Sequence, residues 1–237
     1  MSVGGFVANL NTDVRIGTPS IGTTIDPEDT LGLESSQTVV RVDAVWRFGD
    51  TRRHRLDFTW FDLSRDGTRN LTAEINVDGT VYPIGTVVDS KFDLAFYNVR
   101  YGYSFILDER VDLAASIGLH VTKLGLAVSA AGIGTAGDAV TAPLPVVGFR
   151  LDVALTEKWY FRSSVEALYL KYGDFEGSIT DVMVAGEYRA FKNFAVGAGI
   201  NAVRLKFATE GDDLGMNFRG DVKSNFVGLM LYGKVLF

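Results

Sequence analysis

Lys223-Ser-Asn-Phe-Val-Gly-Leu-Met-Leu-Tyr-Gly-Lys-Val-Leu-Phe237 closes the chain. Counting back from its end, Val235, Gly233, Leu231, Leu229 and Val227 occupy every second position, all apolar or glycine. The interleaved Lys234, Tyr232, Met230, Gly228 and Phe226 are mixed and carry the charge. A period of two puts each set on its own face of a β-strand. A soluble protein would bury the first set in a core, whereas a membrane barrel would turn it toward lipid. Repetition along the chain decides between them.

The pattern recurs upstream. Phe6, Ala8, Leu10, Val14 and Ile16 oppose Asn9, Asn11, Asp13 and Arg15; Val40, Val42, Ala44, Trp46 and Phe48 oppose Arg41, Asp43 and Arg47. Leu56, Phe58 and Trp60 oppose Arg55, Asp57 and Thr59, and Tyr97, Val99, Tyr101, Tyr103 and Phe105 oppose Asn98, Arg100 and Ser104. Further strands follow around Ile117, Leu151, Val165, Val184 and Ile200. Short connections (Gly49 to Arg52, Leu107 to Arg110, Thr156 to Lys158, Phe191 to Asn193) alternate with longer ones, of which the loop around Gly173 is the weakest. A Gly/Ala-rich loop is expected to end near Pro143, and Asp66-Gly67 and Asp78-Gly79 are turn signals. The stretch between those signals reads as a hairpin with its tip at Asp78-Gly79, extending its two strands beyond the membrane.

Strands of about 9–11 residues suit a tilted crossing, and short turns kept at one end are the signature of a membrane barrel. The reading is all-β: a transmembrane antiparallel up-and-down β-barrel of about ten strands, with short periplasmic turns and long extracellular loops, formed by one domain spanning 1–237. The chain resembles small bacterial outer-membrane proteins of the OmpA transmembrane-domain and OmpW-like kind. That resemblance rests on the architecture and on the aromatic carboxy-terminal strand, so no functional residue comes with it. It implies an outer-membrane location, a lipid and lipopolysaccharide environment, a monomer, and insertion machinery that reads the strand ending in Phe237. No signal peptide precedes Ser2, as expected if Met1 replaces a removed one.

Composition agrees. The net charge of −6 and pI near 5.0 oppose a nucleic-acid partner. With 26 Gly, 16 Phe and 9 Tyr but 5 Pro, the chain is built for strands and turns. It lacks cysteine, which is compatible with an oxidising envelope, and no stretch reaches the roughly 18 apolar residues of a membrane helix.

In a barrel the apolar face meets lipid and the polar face fills the lumen. The expected lumen-lining set is Asp13, Arg15, Arg41, Asp43, Arg47, Arg55, Asp57, Arg100, His120, Arg150, Asp152, Arg162, Glu166, Asp181, Glu187 and Arg189, with Asp112 and Lys234 on the same faces. Charges of both signs nearly balance, so they should pair rather than select ions. Several are same-face neighbours two residues apart, and a ladder is expected across the first three strands. Aromatic girdle residues are expected near the short turns at Trp46, Phe48, Tyr97, Tyr101, Tyr103 and Phe105, with Trp60 compatible with either interface.

No cofactor or metal is expected. The acidic groups Asp26/Glu28/Asp29 and Glu210/Asp212/Asp213 read as solvated loop charge rather than a Ca²⁺ site. No enzyme is expected either. Omptin-type proteases are barrels that need acidic pairs and a histidine at the extracellular rim. Here His54 reads as an exposed turn residue, and His120 as a lumen residue four positions from Ser116, roughly 13 Å along a strand and too far for a nucleophile–base pair. Two functions remain: a filled barrel with a structural or surface-interaction role, or a narrow channel for small solutes or hydrophobic compounds.

Overall fold

The computed structural model describes residues 1–16, 22–173, 175–209 and 220–237. Ten long strands close an antiparallel barrel: β1 (Ser2–Ile16), β2 (Ser36–Phe48), β3 (His54–Asn70), β6 (Val87–Leu107), β7 (Val111–Ala130), β8 (Gly134–Ala154), β9 (Trp159–Tyr172), β10 (Phe175–Phe191), β11 (Phe194–Thr209) and β12 (Gly220–Val235). Between β3 and β6 lies a separate two-stranded hairpin, β4 (Ile75–Val77) and β5 (Thr80–Tyr82). Closure comes from β1 lying between β12 and β2, with Ser2 opposite both Lys234 and Asp43. Every long strand thus has two neighbours and the ladder has no free ends, as a bilayer demands.

The short turns and both chain ends share one rim. In the turn before β7, the backbone N–H groups of Arg110 and Val111 donate to Asp108 Oδ1 at 2.8 and 2.7 Å. These bonds hold the Asp108 carboxyl below the usual carboxylate range. At the opposite rim the hairpin turns on Asp78 and Gly79, with φ of 48° and 82°. Positive φ at both centres is the type I′ pattern that Asp-Gly favours.

Two expectations change. The stretch expected as a Gly/Ala-rich loop up to Pro143 is strand: β7 and β8 stay paired from Val111↔Val153 up to Ala130↔Gly134. Asp66-Gly67 is likewise no turn, since both residues lie in β3 opposite Lys91 and Ser90. Pairing with a long neighbour outweighs weak local propensity in each case. β6, β7 and β8 therefore run 21, 20 and 21 residues, roughly twice a bilayer crossing.

The excess length forms a crown beyond the membrane band, and there the faces exchange character. Along β6 the outward residues are Tyr103, Tyr101, Val99 and Tyr97, then Asp93, Lys91 and Asp89. The inward ones are Arg100 and Asn98, then Phe96, Leu94, Phe92 and Val88. β3 repeats the switch, with Trp60 the last outward aromatic before Asp62 and Phe61 the first buried ring above Asp57 and Thr59. Trp60 faces Tyr97 across the ladder, so both mark the upper edge of the band, and Tyr97 does not belong to the short-turn girdle.

The crown interior is a dry core. Leu63, Leu94, Leu124 and Val140 form one row across four strands. Ile25, Leu31 and Leu33 of the β1–β2 connection join it, as do Ile75, Val77 and Tyr82 of the small hairpin. Tyr82 is fully buried and donates its hydroxyl to the Val128 carbonyl at 2.8 Å; burial pushes that phenol above its ordinary pKa.

Candidate functional site: the charged lumen

Below the crown the inward faces of every long strand but β1 carry polar or charged groups, because these strands cross the band with their polar parity inside. Three groups of side chains form. In the first, Arg41 donates to Asp43 through Nε at 3.2 Å and Nη2 at 3.1 Å, and to Asn201 Oδ1 through Nη1 at 2.7 Å. Asn201 passes the chain to Asp181 at 2.5 Å, and Thr59 donates to Asp43 at 2.8 Å.

The second group is centred on Arg55, the largest fully buried side chain, with 1% exposed. Its Nε and Nη2 hold Asp57 at 2.9 and 2.8 Å, a bidentate fork. Asp112 bridges Arg47 and Arg55, and Asp152 accepts from Arg150 and Arg162. Arg162 donates on to Glu187 at 2.6 Å, where Tyr232 and Lys234 also donate, each at 2.8 Å.

The third group surrounds Glu166, which is 2% exposed. Its carboxylate is paired with Arg100, accepts from Asn98 at 2.9 Å and lies 2.7 Å from His120 Nε2. His120 is fully buried and meets the Phe96 edge at 4.9 Å between centroids.

Directly above sit four rings. Phe61 stacks on Phe96 at 4.9 Å and tilts against Phe6 at 5.5 Å, and Phe226 meets all three. This aromatic layer separates the charged lumen from the dry crown core. On the other side the lumen opens into a cavity of about 550 Å³ whose mouth includes Met1, Arg52, Trp46 and Phe237, at the short-turn rim.

The fold is that of an outer-membrane β-barrel. The chain is similar to the outer-membrane protease OmpT of Escherichia coli, with a TM-score of 0.62 and 9% identity over 99% of this chain and 96% of that one. It also matches Ail, the attachment invasion locus protein of Yersinia pestis, at 11% identity and a TM-score of 0.38, covering 98% of this chain and 97% of that one. The Pseudomonas putida toluene transporter TodX gives 9% identity and 0.32, covering 98% and 89%. At such identities the likeness concerns the fold alone, and of these three only the first, above 0.5, is close enough to weigh. No protein-family model matches the chain, nor does any curated protein sequence.

Of the residues expected in the lumen, Asp13 and Arg15 are not there. They alternate with buried Thr12, Val14 and Ile16, and Arg15 pairs with Asp221 on the outside of β1 and β12. The reason is the crown: this end of β1 lies above the band, where the apolar face turns inward. The ladder consequently omits β1 and runs round the other nine strands. Arg41/Asp43, Arg55/Asp57 and Arg150/Asp152 do pair two apart. Glu187 and Arg189 do not, since Glu187 binds Arg162 and Lys234 while Arg189 lies over the Tyr160 ring at 4.6 Å.

The sequence reading passed over Asn98, Asn201, Thr59 and Tyr232 as members of the network. Thr59, Asn98 and Tyr232 share the parity of Arg55, Arg100 and Lys234 on their strands, which was the available signal; Asn201 had none, since the charges of β11, Arg204 and Lys206, point outward. His54, expected as an exposed turn residue, begins β3, stacks on Phe48 and lies 2.7 Å from the Tyr101 hydroxyl. Glu28 is a latch rather than free loop charge: it accepts from Arg65 at 2.5 Å and from the Thr12 N–H at 3.2 Å. Glu210, Asp212 and Asp213 lie outside the described residues, and no metal-ligand cluster occurs among those described.

Proposed function

We propose that this protein is a sealed outer-membrane barrel that works through its crown, a structural or surface-interaction role rather than passage of solute. One observation carries the reading. The interior above the charged lumen is filled with packed apolar side chains around one buried ion pair, Arg65–Glu28, beginning at the four-phenylalanine layer and ending at the hairpin and the β1–β2 connection. Ions do not cross a dry, close-packed core without solvation. The outer face of the crown, by contrast, is polar, with Asp62, Ser64, Asp66, Asp89, Lys91 and Asp93 across β3 and β6.

Planar-bilayer recording tests this. Refolded protein, shown to be inserted by its heat-modifiable migration, should give a silent membrane. The double variant Phe61→Ala/Phe226→Ala, which opens the aromatic layer, should raise the ion flux. Discrete openings from the unaltered protein would overturn the proposal in favour of a narrow channel.

A further inference from the structure

We propose that the open end of the lumen is a binding cup for a dianionic oxyanion, a phosphate group or its chemical equivalent, that enters from the periplasmic side. The cup is the cavity of about 550 Å³, within the size range of small-molecule sites. The four-phenylalanine layer lies above it, and the rim of short turns and chain ends forms its mouth.

The charge on its wall is uneven. The residues facing the cavity include eight lysine and arginine side chains but four aspartates. The remaining carboxylates of the network, Asp112, Glu166 and Glu187, do not face it, and each is already engaged by a cation. The lumen as a whole is close to neutral, so the cationic surplus is a property of the wall.

Two donors on that wall are left over. Arg150 is 8% exposed, gives Nε to Asp152 at 3.0 Å, and has no partner for Nη2. Arg100 pairs with Glu166 through Nη1 and has no partner for Nε. A buried guanidinium N–H without an acceptor is costly. The two nitrogens are themselves enclosed, but both guanidiniums line the cavity, and a planar guanidinium is the donor that takes an oxyanion by charge-assisted hydrogen bonds. A metal cation fits poorly, because the wall's Asp43, Asp57 and Asp152 are occupied by arginines, which leaves the single carboxylate of Asp181, itself held by Asn201. A neutral solute would gain nothing from the cationic side that the wall turns to the cavity, whose counter-charges Asp112, Glu166 and Glu187 lie behind it.

Two measurements on the full chain in maltoside micelles at low salt test the proposal, with inorganic phosphate as the probe. Calorimetry should show saturable binding that weakens at least about tenfold in Arg150→Gln and fades as salt rises. Binding unchanged in that variant would place phosphate elsewhere and overturn the assignment, as would no binding at all. Because Arg150→Gln removes a network member, a second variant leaves the charges intact. Val45→Cys places a thiol on the cavity wall. Anionic methanethiosulfonate ethylsulfonate should label it at least about fivefold faster than the cationic ethylammonium reagent, relative to a free small thiol, and phosphate should protect it. Equal rates, or a preference for the cation, would sink the cup.

Discussion

β6 carries two opposite environments on one strand. At its short-turn end Tyr101 and Tyr103 face out while Arg100 and Ser104 face in; at its far end Asp89 and Lys91 face out while Val88 and Phe92 face in. The period of two never breaks. What changes is the solvent outside. Within the band lipid takes the apolar face and charges must find partners in the lumen; above it water takes the polar face and the interior becomes an ordinary hydrophobic core. Alternation therefore shows that a segment is a strand, but which face is inside depends on height along the barrel.

The sharpest way to break this comparison is to remove one charge from the lower half. Arg55→Ala leaves Asp57 buried without its bidentate partner, and unfolding should lose about 3–5 kcal/mol, read from denaturant midpoints in lipid. An unchanged midpoint would mean that water already solvates the network. Next comes a pair of outward substitutions. Ile117→Arg, at a site 63% exposed on the outside of the band, should cost about 2–4 kcal/mol near the bilayer midplane. Asp62→Arg, outward on the crown, should stay within about 0.5 kcal/mol. Equal costs at the two sites would erase the boundary drawn between Trp60 and Asp62. The smallest effect sharpens the crown side. Ile179→Val removes one methyl group from a site 1% exposed in the dry core, and should cost about 0.5–1.5 kcal/mol, as in a soluble protein. A cost near zero, by equilibrium unfolding, would argue that the crown is loosely packed.

The class and strand order were legible because lipid-facing runs such as Val147, Phe149, Leu151 and Val153 repeat at regular intervals. β1 shows the limit. Its apolar set from Phe6 to Ile16 fits a lipid face as well as a core face, and only its neighbours reveal that Leu10 and Val14 are interior. The upper halves of β7 and β8 failed for another reason. Gly125, Gly132, Gly134 and Gly137 weaken local strand propensity, while the pairing that holds these segments is non-local. In the lumen, charged residues announced themselves, but Asn98 and Asn201 did not. A neutral amide that links Arg41 to Asp181, as Asn201 does, or that donates to Glu166, as Asn98 does, is visible only once three strands are assembled.

Pro143 and Pro145 sit in β8 opposite Val121 and Leu119, above the point where β9 begins to pair at Val147. Here β8 has a ladder partner on the β7 side alone, a setting in which a strand tolerates proline. An exposed strand edge ordinarily invites another chain to add itself. Two residues without an N–H, spaced to the strand period, withhold donors from any newcomer along that margin. In a crowded membrane of identical barrels, this edge is guarded against zippering copy to copy, and each barrel can keep a partly open seam without becoming half of a fibril.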